Sequence, residues 1–267
     1  MEVNMDTAIG TKRKGLSTFD LKIIGIILMV VDHIHQMFEP FGAPAWLDWF
    51  GRPVATIFFF TSVVGFTYTH SKKQYMLRLY ICMVLMSLMM IGLENMVHYD
   101  QVVLINNIFR DLFVGTLFMY GIDCFQEGRR ENRAKKILLG ILFFLIPFIA
   151  SAVLVLIVNG ISTQRLLITL LMSITPGILI AENNFMVLLI PLLYIFKDNR
   201  RIQCLMIALT AAGYAVLGQT QWMMIFAVIP IWLYNGQKGH GMKYFFYIFY
   251  PAHIVVLYLI SAFIYTH

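Results

Sequence analysis

Apolar runs of about twenty residues recur along the chain, at roughly 22–39, 50–69, 75–95, 102–124, 137–158 and 164–181. A run of that length matches the ~30 Å hydrocarbon core of a bilayer. In lipid each backbone N–H and C=O must find its partner within the protein, so runs of this kind fold as helices. Further runs follow at about 184–196, 202–217, 221–234 and 244–264. The first of these is short and contains Pro191, which suits a half-helix or re-entrant segment as well as a full span. An all-α polytopic membrane protein is therefore expected, with about nine to ten transmembrane helices in one bundle. Residues 1–19 form a cytoplasmic N-terminal tail and 20–267 a single transmembrane domain.

Composition agrees. Of 267 residues 60% are hydrophobic and 13% charged, against about 25% charged in a soluble domain. The net charge of +6 lies mostly in short loops, where basic residues orient a membrane protein rather than bind nucleic acid. Lys12, Arg13, Lys14 and Lys22 precede the first run, Lys72, Lys73 and Arg78 follow the second, and "EGRRENRAKK" follows the fourth. These positions are expected in the cytoplasm, the N-terminus with them. The loops at 40–49 and 96–101 have no Lys or Arg and suit the outer face. "KDNRR" at 197–201 falls outside if 184–196 spans and inside if it is re-entrant; charge favours the second, with nine spans. The polar first 19 residues carry no cleavage pattern, so the first run is expected to stay as a helix. Cys82, Cys124 and Cys204 are scattered through apolar runs and predict neither a disulfide framework nor a zinc site. No HExxH, Walker loop, GxSxG or GxGxxG is present, which leaves metal-dependent hydrolysis and ATP-driven transport without a motif.

The informative residues are the polar ones inside the runs, because an ionisable group in hydrocarbon is costly unless paired or facing a wet cavity. In "DLKIIGIILMVVDHIHQMF", residues 20–38, His33 lies eleven residues beyond Lys22. That separation is about 16 Å along a helix and returns to within about 20° of the same face. A surface cation and a mid-membrane imidazole thus share one stripe. Asp32 is rotated about a quarter turn from it and His35 lies on the opposite side, so neither need face the same cavity. The alternative roles are ordinary ones, a hydrogen bond between helices for His33 and an interfacial anchor for Lys22. "INNIFRDLF" places Asn106, Asn107, Arg110 and Asp111 within one span. Arg110 either pairs with a carboxylate on a neighbouring helix or walls the polar cavity. "YFFYIFYPAHIVVLYLI" carries His253 at mid-depth of the last run, two residues after Pro251, whose missing N–H frees a backbone carbonyl.

Four blocks together resemble the TraX family of integral membrane proteins: "LSTFDLKIIGIILMVVDHIHQMF", "WFGRPVATIFFFTSVVGFTYTHSKKQYMLRLYICMVLM", "NNIFRDLFVGTLFMYGID" and "YFFYIFYPAHIVVLYLI". Their order and spacing cover most of the chain, and only 126–240 matches in apolarity alone. The resemblance extends to the membrane acyltransferase family 3, whose members move acyl groups, usually acetyl from cytosolic acetyl-CoA, to acceptors at or beyond the membrane. That group carries Arg, ten residues, then His on its first helix. Here the pattern is Lys22, ten residues, His33. The resemblance implies a catalytic His33 and puts Lys22 in the arginine's place, without the bidentate fork that a guanidinium offers phosphate. The family's namesake acetylates the N-terminus of conjugative pilin, and the acceptor does not transfer with the fold.

The resulting expectation is an integral protein of a bacterial plasma membrane that transfers acetyl from acetyl-CoA to an amine or hydroxyl. The acceptor is unidentified: a protein N-terminus, a glycan or a small molecule. Membrane lipids are its other partners, and no metal is predicted. Lys22 holds a CoA phosphate, and His33 acts as general base or as acyl carrier. His253, Arg110 or Asn106 stabilise the oxyanion or orient the acceptor, and Asn106 and Asp32 are the candidate substrate contacts. A transporter or channel using the histidines for protons or a solute is the alternative, and a non-catalytic scaffold is a third.

Overall fold

The structure is a computed structural model and describes residues 14–160, 165–241 and 243–267. The described residues are all-α, with ten α-helices: α1 Thr18–Phe38, α2 Val54–Tyr68, α3 Lys72–Val97, α4 Ile108–Arg130, α5 Ala134–Gly160, α6 Arg165–Ile174, α7 Leu189–Ile195, α8 Arg200–Val216, α9 Val228–Trp232 and α10 Lys243–Thr266. Among the described residues, five segments are long and apolar enough to cross a membrane: Thr18–Phe41, Ala45–Tyr68, Lys72–Val97, Ala134–Gly160 and Tyr244–Thr266. α4, which is long but not among these five, and the shorter helices supply the rest of the bundle. Of the expected tail, residues 1–13 lie outside the described residues. Leu16 pairs with Leu233 and Asn235 through the backbone, and a capping box between Ser17 and Asp20 starts α1, satisfying N–H groups that a helix start leaves free.

Small residues decide how closely the helices approach. At the α4–α5 contact a Cβ on Gly140 would lie 2.6 Å from the Gly121 carbonyl oxygen and 2.7 Å from the Phe125 nitrogen, so the two backbones touch where only glycine fits. Gly51 plays the same part beside α1, since a Cβ there would run into the Asp32 carboxylate.

Two expected spans differ from single helices. The run at 102–124 is helical only from Ile108; before it, residues 103–107 have no regular structure, and Asn107 Nδ2 donates to Met83 O and Ser87 Oγ near the middle of α3. α4 therefore begins at mid-depth. The run at 164–181 breaks after Ile174, at Pro176 and Gly177, and resumes through a 3-10 turn at Asn184–Leu188 into α7. α6 packs on α3, and the stretch from its last turn onward follows α4. Arg110 meets Met172 and Ile180, Asp111 meets residues 182 and 183, Gly115 packs on Ile190, and Asp123 bonds Tyr194. Residues 165–195 thus make one interrupted crossing, which puts "KDNRR" at the end of the bundle where Lys72 pairs with Asp123. The count is then nine, as charge favours, but the arrangement differs from the expected one: 164–181 is not a full span with a re-entrant 184–196 after it, and the two runs instead share one interrupted path. Pro191 falls in the first turn of α7, where its missing N–H breaks no helical bond.

Candidate active site

At the Lys22 end the bundle encloses a cavity of about 720 Å³, within the ~300–1,000 Å³ range of small-molecule sites. Lys22, Ile26 and Met29 line it from α1, one residue per turn, as the helical period requires. Arg78 of α3, with Lys238 and His240 from the loop before α10, adds further basic groups, and among the described residues no Asp or Glu lines it. The Lys22 ammonium sits 5.0 Å from the centre of the Phe246 ring, a cation–π contact. Gln74 and Tyr75 complete the wall near the start of α3.

Beyond this cavity lies a second one of about 160 Å³, lined by Asp32, His33, Asp48, Arg52, Glu182, Asn183 and Gln221 among others. The two share four lining residues: Met29, Phe58, Ile108 and Tyr250. These form a septum one side chain thick. Tyr250 spans it, its hydroxyl accepting from the Ile108 amide at 3.2 Å and donating to Glu182 Oε2 at 3.4 Å. The chambers differ in sign, basic on the Lys22 side and carboxylate-rich on the other. Arg52 is ion-paired to Asp48, and Asp32 and Glu182 are the carboxyl groups that remain in the lining. Asp32 thus faces the same small cavity as His33 despite its quarter-turn rotation, because that cavity wraps around α1 toward Gly51 and Asp48.

His33 is buried in the wall of the small cavity, its ring centre 6.3 Å from that of Tyr250 in the septum. Its Nδ1 lies 2.7 Å from His253 Nε2, and its Nε2 lies 3.2 Å from Asn106 Nδ2. Asn106 is clamped by reciprocal amide bonds with Gln36 at 2.9 and 3.0 Å. The first and last spans therefore meet at their histidines, and α10 runs unbroken through Pro251 to make the contact. Of the candidates expected from the sequence, the structure assembles His33, His253 and Asn106 in one cluster, with Asp32 beside His33 and Lys22 at the far end of the same stripe.

Arg110 lies elsewhere and lines neither cavity. Its guanidinium donates to Met172 O at 2.9 Å, Ile180 O at 2.8 Å and Ser87 Oγ at 3.1 Å. Its partners are carbonyls rather than the carboxylate expected on a neighbouring helix. The physical reason is the break after α6, which leaves the last carbonyls of that helix without N–H donors. Asp111 serves the other edge of the break, accepting from the backbone N–H of Glu182 and Asn183 at 2.8 and 3.1 Å. A cation at the carbonyl end and a carboxylate at the N–H end match the two helix-terminal charges.

Gln36, Tyr250, Glu182, Arg78 and Lys238 are site residues that the sequence alone does not single out. Only Gln36 carries a usable signal, lying three residues beyond His33 and so on a neighbouring face of α1. Among the described residues no group of three or more His, Cys, Asp or Glu is placed to hold a metal ion.

Among known proteins, the model of the family described as TraX protein aligns with residues 17–261. No curated protein and no solved structure matches the chain.

Proposed function

The chain belongs to the TraX family, a family of acetyltransferases, and from that premise we propose a membrane-embedded acyltransferase that uses acetyl-CoA at the Lys22 end of the bundle. The observation that supports it most is the basic cavity that ends on a septum with His33 on its far side. Lys22, Arg78 and Lys238 supply positive charge for the phosphates of CoA, with the Arg78 guanidinium offering a planar fork that Lys22 lacks. The pantetheine arm runs down the α1 stripe past Ile26 to Met29 and brings the thioester to the septum. An acceptor amine or hydroxyl occupies the small cavity beside Asp32 and Glu182.

In the transfer, the acceptor's N or O forms a bond to the acetyl carbonyl carbon and the carbon–sulfur bond breaks. His33 takes the acceptor's proton as general base and returns it to the departing CoA sulfur. The Tyr250 hydroxyl, at the septum, turns its one proton from the long 3.4 Å bond to Glu182 to the oxyanion of the tetrahedral intermediate. The cytoplasm is the compartment that supplies acetyl-CoA, so the Lys22 end faces it.

One observation favours a carrier instead: a pair of chambers separated by a single septum beside an interrupted helix is also a transport architecture. Incubating the purified protein with acetyl-labelled acetyl-CoA separates the two. The acyltransferase releases free CoA and passes label to an acceptor. Uptake of solute into proteoliposomes with no CoA released would establish the carrier.

A further inference from the structure

The geometry points to His253 as a positioning residue that fixes which nitrogen of His33 takes the acceptor's proton; its catalytic consequence rests on the acyltransferase reading above. A backbone carbonyl sets the first proton. His253 Nδ1 lies 2.9 Å from Phe249 O, and a carbonyl only accepts, so Nδ1 of His253 carries the proton. A neutral imidazole has one N–H, which leaves His253 Nε2 as an acceptor. That nitrogen is 2.7 Å from His33 Nδ1, and two lone pairs do not face each other at that distance. His33 Nδ1 therefore carries the proton and donates it.

Ring geometry supports a true hydrogen bond. The two imidazole planes are only 4° apart, with centroids 4.9 Å apart, and a 2.7 Å nitrogen contact is too short for rings stacked face to face. The rings lie edge to edge, with the N–H of one directed at the lone pair of the other. His33 Nε2 is then the unprotonated nitrogen, and it is the one that faces Asn106 Nδ2 at 3.2 Å. Turning over the Asn106 and Gln36 amides together would keep their mutual bonds. It would also oblige Nε2 to hold the His33 proton and set lone pair against lone pair at His253, so the Phe249 carbonyl excludes that arrangement.

His33 Nε2 is thereby kept as the base, and an incoming acceptor replaces the long contact from Asn106. When the acceptor's proton arrives, His253 continues to accept from Nδ1 and stabilises the imidazolium. The logic is that of any base oriented by a third group, with a neutral imidazole as the orienter.

The test combines ¹⁵N spectra of the histidine-labelled full chain in lipid nanodiscs with acetyl-transfer kinetics. His33 is assigned by its absence from the spectrum of His33→Gln. Wild-type His33 should show its proton on Nδ1. His253→Phe should lose that tautomer and lower kcat by about 10²-fold, with KM for acetyl-CoA unchanged. In His253→Gln the amide oxygen accepts from Nδ1, and both the tautomer and most of kcat should return. A wild-type His33 protonated on Nε2 overturns the inference, as does a folded His253→Phe or His253→Gln whose His33 tautomer departs from these expectations. A merely structural His253 would lower thermal stability and leave the tautomer unchanged in folded protein. If the tautomers behave as stated while the wild type transfers no acetyl, the positioning role stands and the acyltransferase reading falls.

Discussion

Two histidines one half-turn apart on α1 have different surroundings: His33 is buried between His253 and Asn106, whereas His35 lines neither cavity. His33→Ala is expected to lower acetyl transfer by roughly 10²- to 10⁴-fold while the protein still purifies as one species and binds CoA. His35→Ala should keep most of the activity. Activity, CoA binding and melting temperature measured on both variants decide it, and a stable, fully active His33→Ala protein would end the catalytic reading. Lys22→Ala should weaken acetyl-CoA binding by roughly 10- to 100-fold, the ~1.5–3 kcal/mol of a hydrogen bond to a charged group. Lys22→Arg should retain or improve binding, because a guanidinium suits phosphate geometry. Unchanged affinity in Lys22→Ala by calorimetry would reduce Lys22 to an interfacial anchor. The Lys22–His33 stripe is legible from spacing, because helical period alone puts both residues on one face. The contact of His33 with His253 is not, since two residues 220 positions apart share a depth without revealing their facing directions. Arg110 is the least readable, because its partners are backbone carbonyls, which no residue type announces.

Among the elements, the interrupted crossing of α6 and α7 shows where counting apolar residues fails. Hydropathy divides the runs at 164–181 and 184–196 away from the helix break, because it continues through "TPGILIA" while the helical backbone does not. Pro176 and Gly177 mark the true break, and Pro191, the proline that suggests a half-helix, is harmless in the first turn of α7. Charge at 197–201 places that loop at the Lys72 end, where the structure also has it, but it does so through a re-entrant 184–196 and not through the joined crossing that the contacts make. The break survives at membrane depth only because its exposed backbone groups are met by Arg110 and Asp111. Arg110→Ala should leave the Met172 and Ile180 carbonyls without donors, at about 1–3 kcal/mol for each unsatisfied group. The expected outcome is a clear fall in melting temperature, with activity lost in proportion to folded protein and KM for acetyl-CoA unaffected in what remains. Loss of transfer at wild-type stability would instead bring Arg110 back to the chemistry.

Taken as a whole, the molecule is polarised along its length. The larger chamber gathers lysine, arginine and histidine without a carboxylate, and the smaller gathers Asp32, Asp48 and Glu182 against a single arginine. Basic loops collect at the larger chamber's end as well: Lys72 pairs with Asp123 near the end of α4, and Arg200 at the start of α8 packs on Phe60 and Tyr234. The same positive residues that line a site for an anionic donor therefore also orient the bundle by the rule that basic loops stay in the cytoplasm. One topology has to serve both purposes. In a background lacking Cys82, Cys124 and Cys204, single cysteines at Arg130 and Asp198 should react with an impermeant maleimide only after the cells are permeabilised. A cysteine at Asp100, beyond the opposite end of α3, should react in intact cells. External labelling at 198 alone would show that residues 165–195 do not form one crossing. External labelling at 130 would place the basic chamber away from the cytoplasm, and a protein so oriented would have no access to acetyl-CoA through it.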